Sequence, residues 1–464
     1  MRAPAGAAWR SGVLLVANVG FLSLLFDTVQ DATSLALFLA FGYACIIACR
    51  NLKNSYVAPV SIGLLTCLFI YLKQYTFIDF VPKLAIDFQA IGVSYIFFRI
   101  VHLIIDERNA QIEERVGVLD YFNFTANFLT FVSGPVTRIQ DSYADLREPA
   151  EATDGFIAGA IYRIVLGFFK LLVIASLVGI LFDRFGPQIL GASETTAPAL
   201  LVYCAAAALY TAYLYYNFSG SMDVVIGFGR LAGLRLPENF NRPFLSRNMI
   251  EFWGRWHMTL SNWFKEYMFT PTLMLLLKTF RSPKLATSMG VVTYFVVFTI
   301  MGVWHGSTYI FLIYGFFLGA GMAGNKLYQN IMVKRLGRKR YKALSQKPLY
   351  IYASRGLTIG YFAVSLSSFW MTTTDLVAVG ARITPFGYAA AVLLLSLAWG
   401  VSAAVLDFVT PRFISVYERV KQTAIGLPAP GMRFGYPAFA ALIILTAIVQ
   451  ITINKPAEFV YAQF

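Results

Sequence analysis

Charged residues are scarce in this 464-residue chain: Asp, Glu, Lys and Arg together make up 13% of the sequence. A soluble protein carries about 25%. Apolar residues reach 58%, which is too much apolar surface for a soluble globular protein or a disordered chain. The composition therefore predicts a polytopic membrane protein. The net charge of +14 is then a property of the loops between membrane spans, and we expect no nucleic-acid partner.

Cysteine and histidine are scarce as well. The four cysteines lie inside apolar runs without metal-ligand spacing, so the sequence predicts neither a metal site nor disulfides. The three histidines are His102, His257 and His305. His102 lies close to Asp106 at the end of an apolar run, and we interpret it as a hydrogen-bonded interfacial residue without a chemical role.

Long apolar runs are what the sequence has in abundance. A helix needs about 20 apolar residues to cross about 30 Å of hydrocarbon. Eleven runs approach this length, at residues 12–27, 32–49, 56–73, 86–105, 157–182, 197–217, 286–304, 307–325, 353–372, 386–407 and 434–453. Two further stretches, 119–134 and 248–277, are apolar but irregular, and we expect interfacial or re-entrant segments there. The prediction is one all-α membrane domain over residues 1–464, with about 11 transmembrane helices.

The basic residues predict the orientation. Arg2 and Arg10 precede the first run and no small-residue cleavage site follows it, so we expect an uncleaved first span with its N-terminus in the cytosol. The arginine-rich stretch 230–255 then falls on the cytosolic side. So does the basic loop 326–355, which holds nine Lys or Arg and no acid. We find no strong internal repeat, which argues against an inverted-repeat transporter.

The string G-V-W-H-G at residues 302–306 lies between two apolar runs of 19 residues. His305 is therefore predicted at the turn of a membrane hairpin, on the side opposite the basic loops. A titratable residue in a membrane segment indicates function by default, and an imidazole titrates near neutrality as a general base must. The alternative is an interfacial Trp-His anchor. Gly302 and Gly306 leave room for a ligand or another backbone, and Trp304 supplies a flat wall.

Residues 248–267 are rich in tryptophan and carry charges at helical spacing. Placed on one helix, His257 falls on the apolar stripe with Trp253 and Leu260, and Glu251 lies on the opposite side. This pattern is typical of an amphipathic interfacial helix. A histidine on such a stripe is more often a core residue bonded to a carbonyl than a catalytic group.

The segment 234–244 reads as a loop because it contains two prolines and two asparagines, Asn239 and Asn241. The asparagine side chains either hydrogen-bond to backbone groups in turns or bind a polar ligand. The basic residues in and around this loop favour either an anionic donor or anionic lipid. They include Arg235, Arg242, Arg247 and Arg255.

Taken together, these stretches resemble the membrane-bound O-acyltransferase family. The similarity is strongest to its bacterial branch, which includes the alginate O-acetylation membrane subunit and the teichoic acid D-alanyl transfer protein. It is carried, in the family's order and over residues 90–325, by S-G-P-V-T-R (133–138), G-F-F-K (167–170), Y-N-F-S-G-S-M-D-V-V-I-G-F-G-R (216–230), P-E-N-F-N-R-P-F (237–244), F-W-G-R-W-H-M-T-L-S-N-W-F (252–264) and G-V-W-H-G (302–306). Gly254 stands where relatives often have a basic residue.

The resemblance implies a helical bundle around a central tunnel or funnel in the membrane. It places the catalytic role on His305, and it maps the family's second histidine, an Asn in other branches, to His257. Trp304 and Trp256 are then expected to wall the substrate tunnel, together with Asn239 and Asn241.

The resemblance also implies the substrates and partners. No tightly bound cofactor is expected, and the co-substrate is an acyl thioester, either acetyl-coenzyme A or an acyl carrier protein. The four arginines are predicted to dock this acidic donor. The expected acceptor is a cell-envelope polysaccharide, acylated with the help of an exported esterase-like partner protein. The alternatives are aminoacyl transfer from a carrier protein, a proton-coupled secondary transporter, and a scaffold without catalysis.

Overall fold

The computed structural model describes residues 5–26, 29–52, 54–80, 82, 92–149, 153–191, 198–282, 285–423 and 442–446. In this part of the chain every regular element is a helix, and strand-like pairing is limited to one antiparallel bridge between Phe240 and Trp256. The prediction of an all-α polytopic membrane protein is confirmed.

The first half of the chain contains nine helices among the described residues. These are α1 (Ala5–Leu25), α2 (Val29–Asn51), α3 (Val57–Lys73), α4 (Val93–Arg108), α5 (Val118–Thr125), α6 (Ile139–Arg147), α7 (Asp154–Phe168), α8 (Ser176–Leu190) and α9 (Ala199–Leu231). A π-helical turn, Phe169–Ala175, joins α7 to α8 without a break in the helix. A turn of this kind inside a helix is frequent at functional sites.

The second half begins with short elements and ends with long ones. These are α10 (Met249–Trp253), α11 (Met258–Phe264), α12 (Thr270–Phe280), α13 (Ala286–Trp304), α14 (Tyr309–Leu336), α15 (Arg338–Leu344), α16 (Pro348–Ser365), α17 (Thr373–Ile383) and α18 (Pro385–Thr423). A π-helical turn, Lys265–Phe269, precedes α12, and a 3-10 turn, Leu366–Phe369, follows α16. The basic loop 326–355 is therefore largely helical, because α14 continues to Leu336 and α15 follows at once.

Seven helical stretches in the described residues are long and apolar enough to cross a membrane, against the eleven runs read from the sequence. They are Gly6–Leu25, Ala32–Asn51, Asp154–Leu190, Ala199–Leu231, Ala286–Trp304, Tyr309–Leu336 and Phe386–Thr410. Three of the other predicted runs correspond to the shorter helices α3, α4 and α16. Most of the last run, 434–453, lies outside the described residues. The chain is a multi-pass membrane protein.

The hairpin of α13 and α14 is held together by direct backbone contact. A Cβ atom at Gly302 would lie 2.2 Å from Cα of Gly315, so a side chain at this position would force the two helices apart. At Gly306 a Cβ atom would meet the ring of Phe311 at 2.1 Å. The two glycines that flank Trp304 and His305 therefore fix a tight turn, as their position in the motif indicates.

Neither irregular segment forms one continuous helix, and the first consists of the short helix α5 followed by turns. In the first, the buried guanidinium of Arg99 donates a hydrogen bond of 2.7 Å to the carbonyl of Thr125 and further bonds to Thr130. It thereby satisfies the carbonyl groups of the last residue of α5 and of the turns that follow. In the second, α10, α11 and α12 replace the single helix that the spacing of 248–267 predicts. Non-helical backbone in a membrane protein requires such partners.

Candidate active site

His305 ends α13 at the closed end of the α13–α14 hairpin, and its imidazole is buried. Its Nδ1 atom lies 2.7 Å from the carbonyl oxygen of Met301, one helical turn earlier. A carbonyl oxygen only accepts, so Nδ1 carries the proton that makes this bond. In the neutral ring the lone pair is then on Nε2, which is the nitrogen available to take a proton.

Aromatic side chains from three different segments surround His305. Ring centroids lie 5.0 Å away at Trp304, 5.5 Å at Tyr314 and 5.7 Å at Phe369. Tyr314 belongs to α14, and Phe369 comes from the 3-10 turn after α16. Sequence reasoning missed both, because no spacing relates either residue to the histidine motif. Their rings shield the imidazole, and they offer it no carboxylate.

His257 lies in a turn between α10 and α11. Its backbone has φ 45° and ψ 51°, the left-handed conformation, and it is the residue that precedes α11. The prediction that His257 shares one continuous helix with Trp253 and Leu260 is therefore wrong. The left-handed backbone at His257 interrupts the helix between α10 and α11. Among non-glycine residues, Asn, Asp and His are enriched in this conformation.

The His257 imidazole is buried and packs against the ring of Phe218 on α9, with a centroid distance of 4.8 Å. Burial lowers the pKa of His257 well below its ordinary value, and the charge that His305 carries when protonated lowers it further. This electrostatic coupling means that the fold brings the two histidines, 48 residues apart in the sequence, into one region. The sequence alone gives no such proximity.

Asn239 builds the turn that presents His257. Its backbone carbonyl accepts from the amide of Met258 at 2.9 Å, and its side-chain oxygen accepts from the amide and hydroxyl of Thr259 at 3.1 and 2.7 Å. The first amides of α11 have no partner within their own helix. Asn239 therefore acts as the cap of α11 from a distant segment, and its side chain is buried.

Asn241 has a different position. Its side chain is exposed, and its backbone pairs with Arg255: the Asn241 amide donates to the Arg255 carbonyl at 2.9 Å, and the Arg255 guanidinium donates to the Asn241 carbonyl at 3.3 Å. Together with the bridge between Phe240 and Trp256, these bonds form a short two-stranded pairing of residues 239–241 with 255–258.

The two asparagines give a matched test of this capping. We expect Asn239→Ala to lower the free energy of unfolding by about 1–3 kcal/mol, because it leaves buried donors without acceptors. Asn241→Ala should change it by less than about 0.5 kcal/mol. Thermal unfolding in detergent measures both. Equal effects of the two variants would show that the Asn239 side chain does not cap α11.

The two tryptophans expected to wall a tunnel are both buried, but they are in different places. Trp304 packs against Tyr95 and Phe98 of α4 and lines an apolar cavity of about 440 Å³. Trp256 stacks on Phe252, with centroids 5.6 Å apart, and contacts Phe240 and Phe362. Trp304 is thus next to His305, whereas Trp256 belongs to the aromatic packing behind His257.

A polar pocket of about 220 Å³ lies beside α11, and it is lined by Pro237, Thr259, Asn262 and Glu266 among others. Thr259 is two residues from His257 and is bonded to Asn239. His102 lies at the pocket wall and is hydrogen-bonded as expected: Tyr267 Oη lies 2.8 Å from Nδ1, and the Ile139 amide donates to Nε2 at 3.2 Å. The polar lining of this pocket thus includes Thr259, which is two residues from the buried His257 in the sequence.

The four arginines predicted to dock a donor surround the paired segment. Arg255 pairs with Glu251 at 2.9 Å, and Arg235 pairs with Asp145 at 2.6 Å. Arg242 is exposed, with a left-handed backbone at φ 48°. Arg247 reaches Gln346 of the basic loop at 3.4 Å. The fold therefore brings the stretch 230–255 and the loop 326–355 to one surface.

The model of the membrane-bound O-acyltransferase family matches residues 22–354, which is more than half of the chain. The chain belongs to this family. The matched region contains both histidines, the polar pocket, the paired segment and almost all of the basic loop.

Individual relatives come from two groups. A probable alginate O-acetylase of Pseudomonas syringae pv. tomato is 33% identical over 237 residues, 51% of this chain and 42% of the relative. A teichoic acid D-alanyltransferase of Bacillus subtilis is 31% identical over 230 residues, 49% of this chain and 56% of the relative. A teichoic acid D-alanyltransferase of Streptococcus thermophilus is 31% identical over 266 residues, 56% of this chain and 61% of the relative. The alignments thus span about half of the curated relatives' length.

Proposed function

We propose that this protein is an O-acyltransferase that moves an acyl group, acetyl in the first instance, from a cytosolic thioester to a hydroxyl of a cell-envelope polysaccharide. The observation that carries the proposal is His305, whose Nδ1 is tied to the Met301 carbonyl while His257 lies within electrostatic range. An imidazole at the closed end of a membrane hairpin, with a second buried imidazole within electrostatic range, suits acid-base chemistry better than packing alone.

His305 acts as the general base. Its Nε2 removes the proton of the acceptor hydroxyl, whose oxygen attacks the thioester carbonyl and forms a tetrahedral oxyanion. Collapse of this intermediate breaks the carbon–sulfur bond, and the departing thiolate takes the proton back from His305. The products are the acyl ester and the free thiol, and the histidine returns to its neutral form.

His257 stabilises the charge that develops in this reaction or binds the donor carbonyl. Its left-handed turn is fixed by Asn239, so the ring is pre-positioned and needs little reorganisation during the reaction. Trp304, next to His305, excludes water that would otherwise hydrolyse the thioester.

The donor enters from the side that carries the arginines. In this proposal its thioester arm enters at the polar pocket lined by Thr259 and Asn262, close in the chain to His257. The exposed Arg242 and the half-buried Arg247 attract an acidic donor, either acetyl-coenzyme A or an acyl carrier protein, and salt weakens this encounter. In this proposal the donor is a co-substrate, and no tightly bound cofactor takes part.

Charge reversal tests the docking surface. We expect the double variant Arg242→Glu and Arg247→Glu to weaken donor binding by about tenfold at low salt, and by less at high salt because the charges are then screened. Binding of acetyl-coenzyme A and of acyl carrier protein to protein in nanodiscs gives the affinities. Arg281→Glu is the matched control, since Arg281 is also exposed and also has a left-handed backbone, at φ 39°. Unchanged donor affinity of the double variant at low salt would contradict the docking surface.

A second candidate is D-alanyl transfer from a carrier protein, which the similarity to the two teichoic acid D-alanyltransferases favours. An aminoacyl group needs a carboxylate for its ammonium. Among the described residues, the charged side chain that acts on the His305 imidazole is the cation of Lys73, which would repel an ammonium group, and this observation favours acetyl. In either case we propose that an exported esterase-like partner assists transfer to the polysaccharide.

Reconstitution tests the proposal. Protein in proteoliposomes is given donor labelled in the acyl group on its arginine-bearing side, with envelope polysaccharide and the exported fraction of the same cells on the other. The expected product is acylated polymer, and mass spectrometry distinguishes an acetyl from an alanyl increment. No label on polymer with either donor, under conditions where the protein is folded, would overturn the proposed function.

A further inference from the structure

An ion network links two membrane helices to the loop that caps α11. Arg163 on α7 forms a bidentate pair with Glu238, with both distances 2.5 Å, and its Nε donates to Asp223 on α9 at 3.0 Å. Lys170, at the π-helical turn, donates to the other oxygen of Asp223 at 2.5 Å. Arg230 completes the network at 3.9 Å from Glu238.

Four of the five network residues, all except Glu238, lie within helical stretches long and apolar enough to cross a membrane, where charges are costly. Arg163 and Asp223 are 16% and 14% exposed, so both are largely withdrawn from solvent. Replacing largely buried ion pairs by apolar side chains is often neutral or stabilising, so stability alone does not require these charges. The reaction proposed above uses none of them.

Helix packing does not require the network. A Cβ atom at Gly167 would lie 2.7 Å from the carbonyl oxygen of Gly220, so α7 and α9 already touch backbone to backbone. Glu238 is the one network member in the loop after α9. The bidentate pair with Arg163 therefore adds a connection from the helices to the loop segment 237–241.

That segment leads directly to His257. Asn239 follows Glu238 in the chain and holds the amides of Met258 and Thr259, which begin α11. The path from Arg163 to His257 thus runs through one ion pair, one peptide bond and the cap of α11. The guanidinium of Arg163 also holds the pKa of Glu238 below its usual range, so this carboxylate is ionised at neutral pH.

We propose that Arg163, Lys170, Asp223 and Glu238 are positioning residues, which fix the turn at His257 by anchoring Glu238 to the α7–α9 pair. This assigns one role to residues of three motif strings, none of which takes part in the proposed reaction: Lys170 of G-F-F-K, Asp223 of the string at 216–230, and Glu238 of P-E-N-F-N-R-P-F. The structural part stands independently, and its catalytic consequence rests on the proposed function.

Hydrogen–deuterium exchange on the full-length protein in nanodiscs tests the proposal without an activity assay. Glu238→Gln keeps the size of the side chain and removes its charge. We expect the amides of residues 255–262 to exchange about three- to tenfold faster, as the loss of one hydrogen bond predicts. Glu107→Gln is the matched control, because it breaks a 2.7 Å pair with Arg50 that joins α2 to α4, and it should leave 255–262 unchanged.

Turnover supplies the second measurement. Because a small displacement of a reacting group costs up to about 10²-fold in rate, we expect Glu238→Gln to lower kcat by about tenfold with little change in KM for the donor. Arg163→Lys, which keeps the charge but loses the bidentate bond, should fall between wild type and Glu238→Gln in both measurements. It provides the same test if Glu238→Gln does not purify.

The outcomes separate this proposal from the proposed function. Unchanged exchange at 255–262 in both variants overturns the positioning role, whatever the activity. Faster exchange with unchanged kcat supports the structural link and contradicts the catalytic part assigned to His257. Faster exchange with lower kcat supports both.

Discussion

Replacing His305 with alanine is expected to abolish acyl transfer while the protein still inserts and folds. Base catalysis of this kind contributes about 10²- to 10⁴-fold to the rate, and no other imidazole in the described residues has the same environment. The hairpin depends on Gly302 and Gly315 at its helix contact, so the loss of the ring should leave the packing of α13 and α14 in place. Transfer of labelled acetyl to polymer, together with thermal unfolding, measures both effects.

A second variant separates the ring's chemistry from its anchoring bond. His305→Asn keeps a side-chain amide that can donate to the Met301 carbonyl, as Nδ1 does now, but it has no nitrogen that takes up a proton. We expect His305→Asn to be as inactive as His305→Ala and closer to wild type in stability. Transfer that persists in both variants would contradict the general-base role. If the protein were a transporter, the His305 variants would instead lose pH-dependent uptake. If it were a scaffold, they would lose neither acyl transfer nor uptake.

Much of the architecture is predictable from apolar runs, because a membrane leaves the backbone few alternatives to a helix. The runs at 286–304 and 307–325 predict α13 and the start of α14 closely. Charged residues inside a membrane-spanning helix limit the accuracy of this prediction of the fold. Arg163, Lys170 and Asp223 are individually out of place in an apolar helix, and only the fold reveals that both cations pair with Asp223.

The candidate site is predictable in part. The position of His305 at a hairpin turn follows from run length and glycine placement. The turn at His257 does not, because helical spacing assumes a continuous helix, and the interruption depends on Asn239, which lies 18 residues earlier. The ring of Phe369, 64 residues after His305, leaves no local signal at all. Contacts between segments that are distant in the sequence depend on packing, and the periodicity of apolar residues does not predict them.

Substitution of His257 is expected to reduce transfer by about 10²- to 10³-fold, the usual cost of losing one group that stabilises developing charge. The backbone adds a second effect, because the left-handed conformation at φ 45° costs an ordinary residue about 1–2 kcal/mol. His257→Gly should therefore be more stable than His257→Ala, although both lack the imidazole and both should be equally inactive. Thermal unfolding and kcat measured on the same preparations distinguish the two effects.

His257→Asn gives the more informative comparison. Asn adopts the left-handed conformation readily and retains a hydrogen-bond donor, which offers a physical reason why histidine and asparagine both suit this turn. We expect this variant to match wild type in stability and to keep more transfer activity than His257→Ala. If His257→Asn is as inactive as His257→Ala, the reaction needs the imidazole itself, and a donor that merely binds the thioester carbonyl is not enough. If His257→Ala transfers acyl groups at the wild-type rate, His257 has no part in the chemistry, and the capped turn serves only to hold α11.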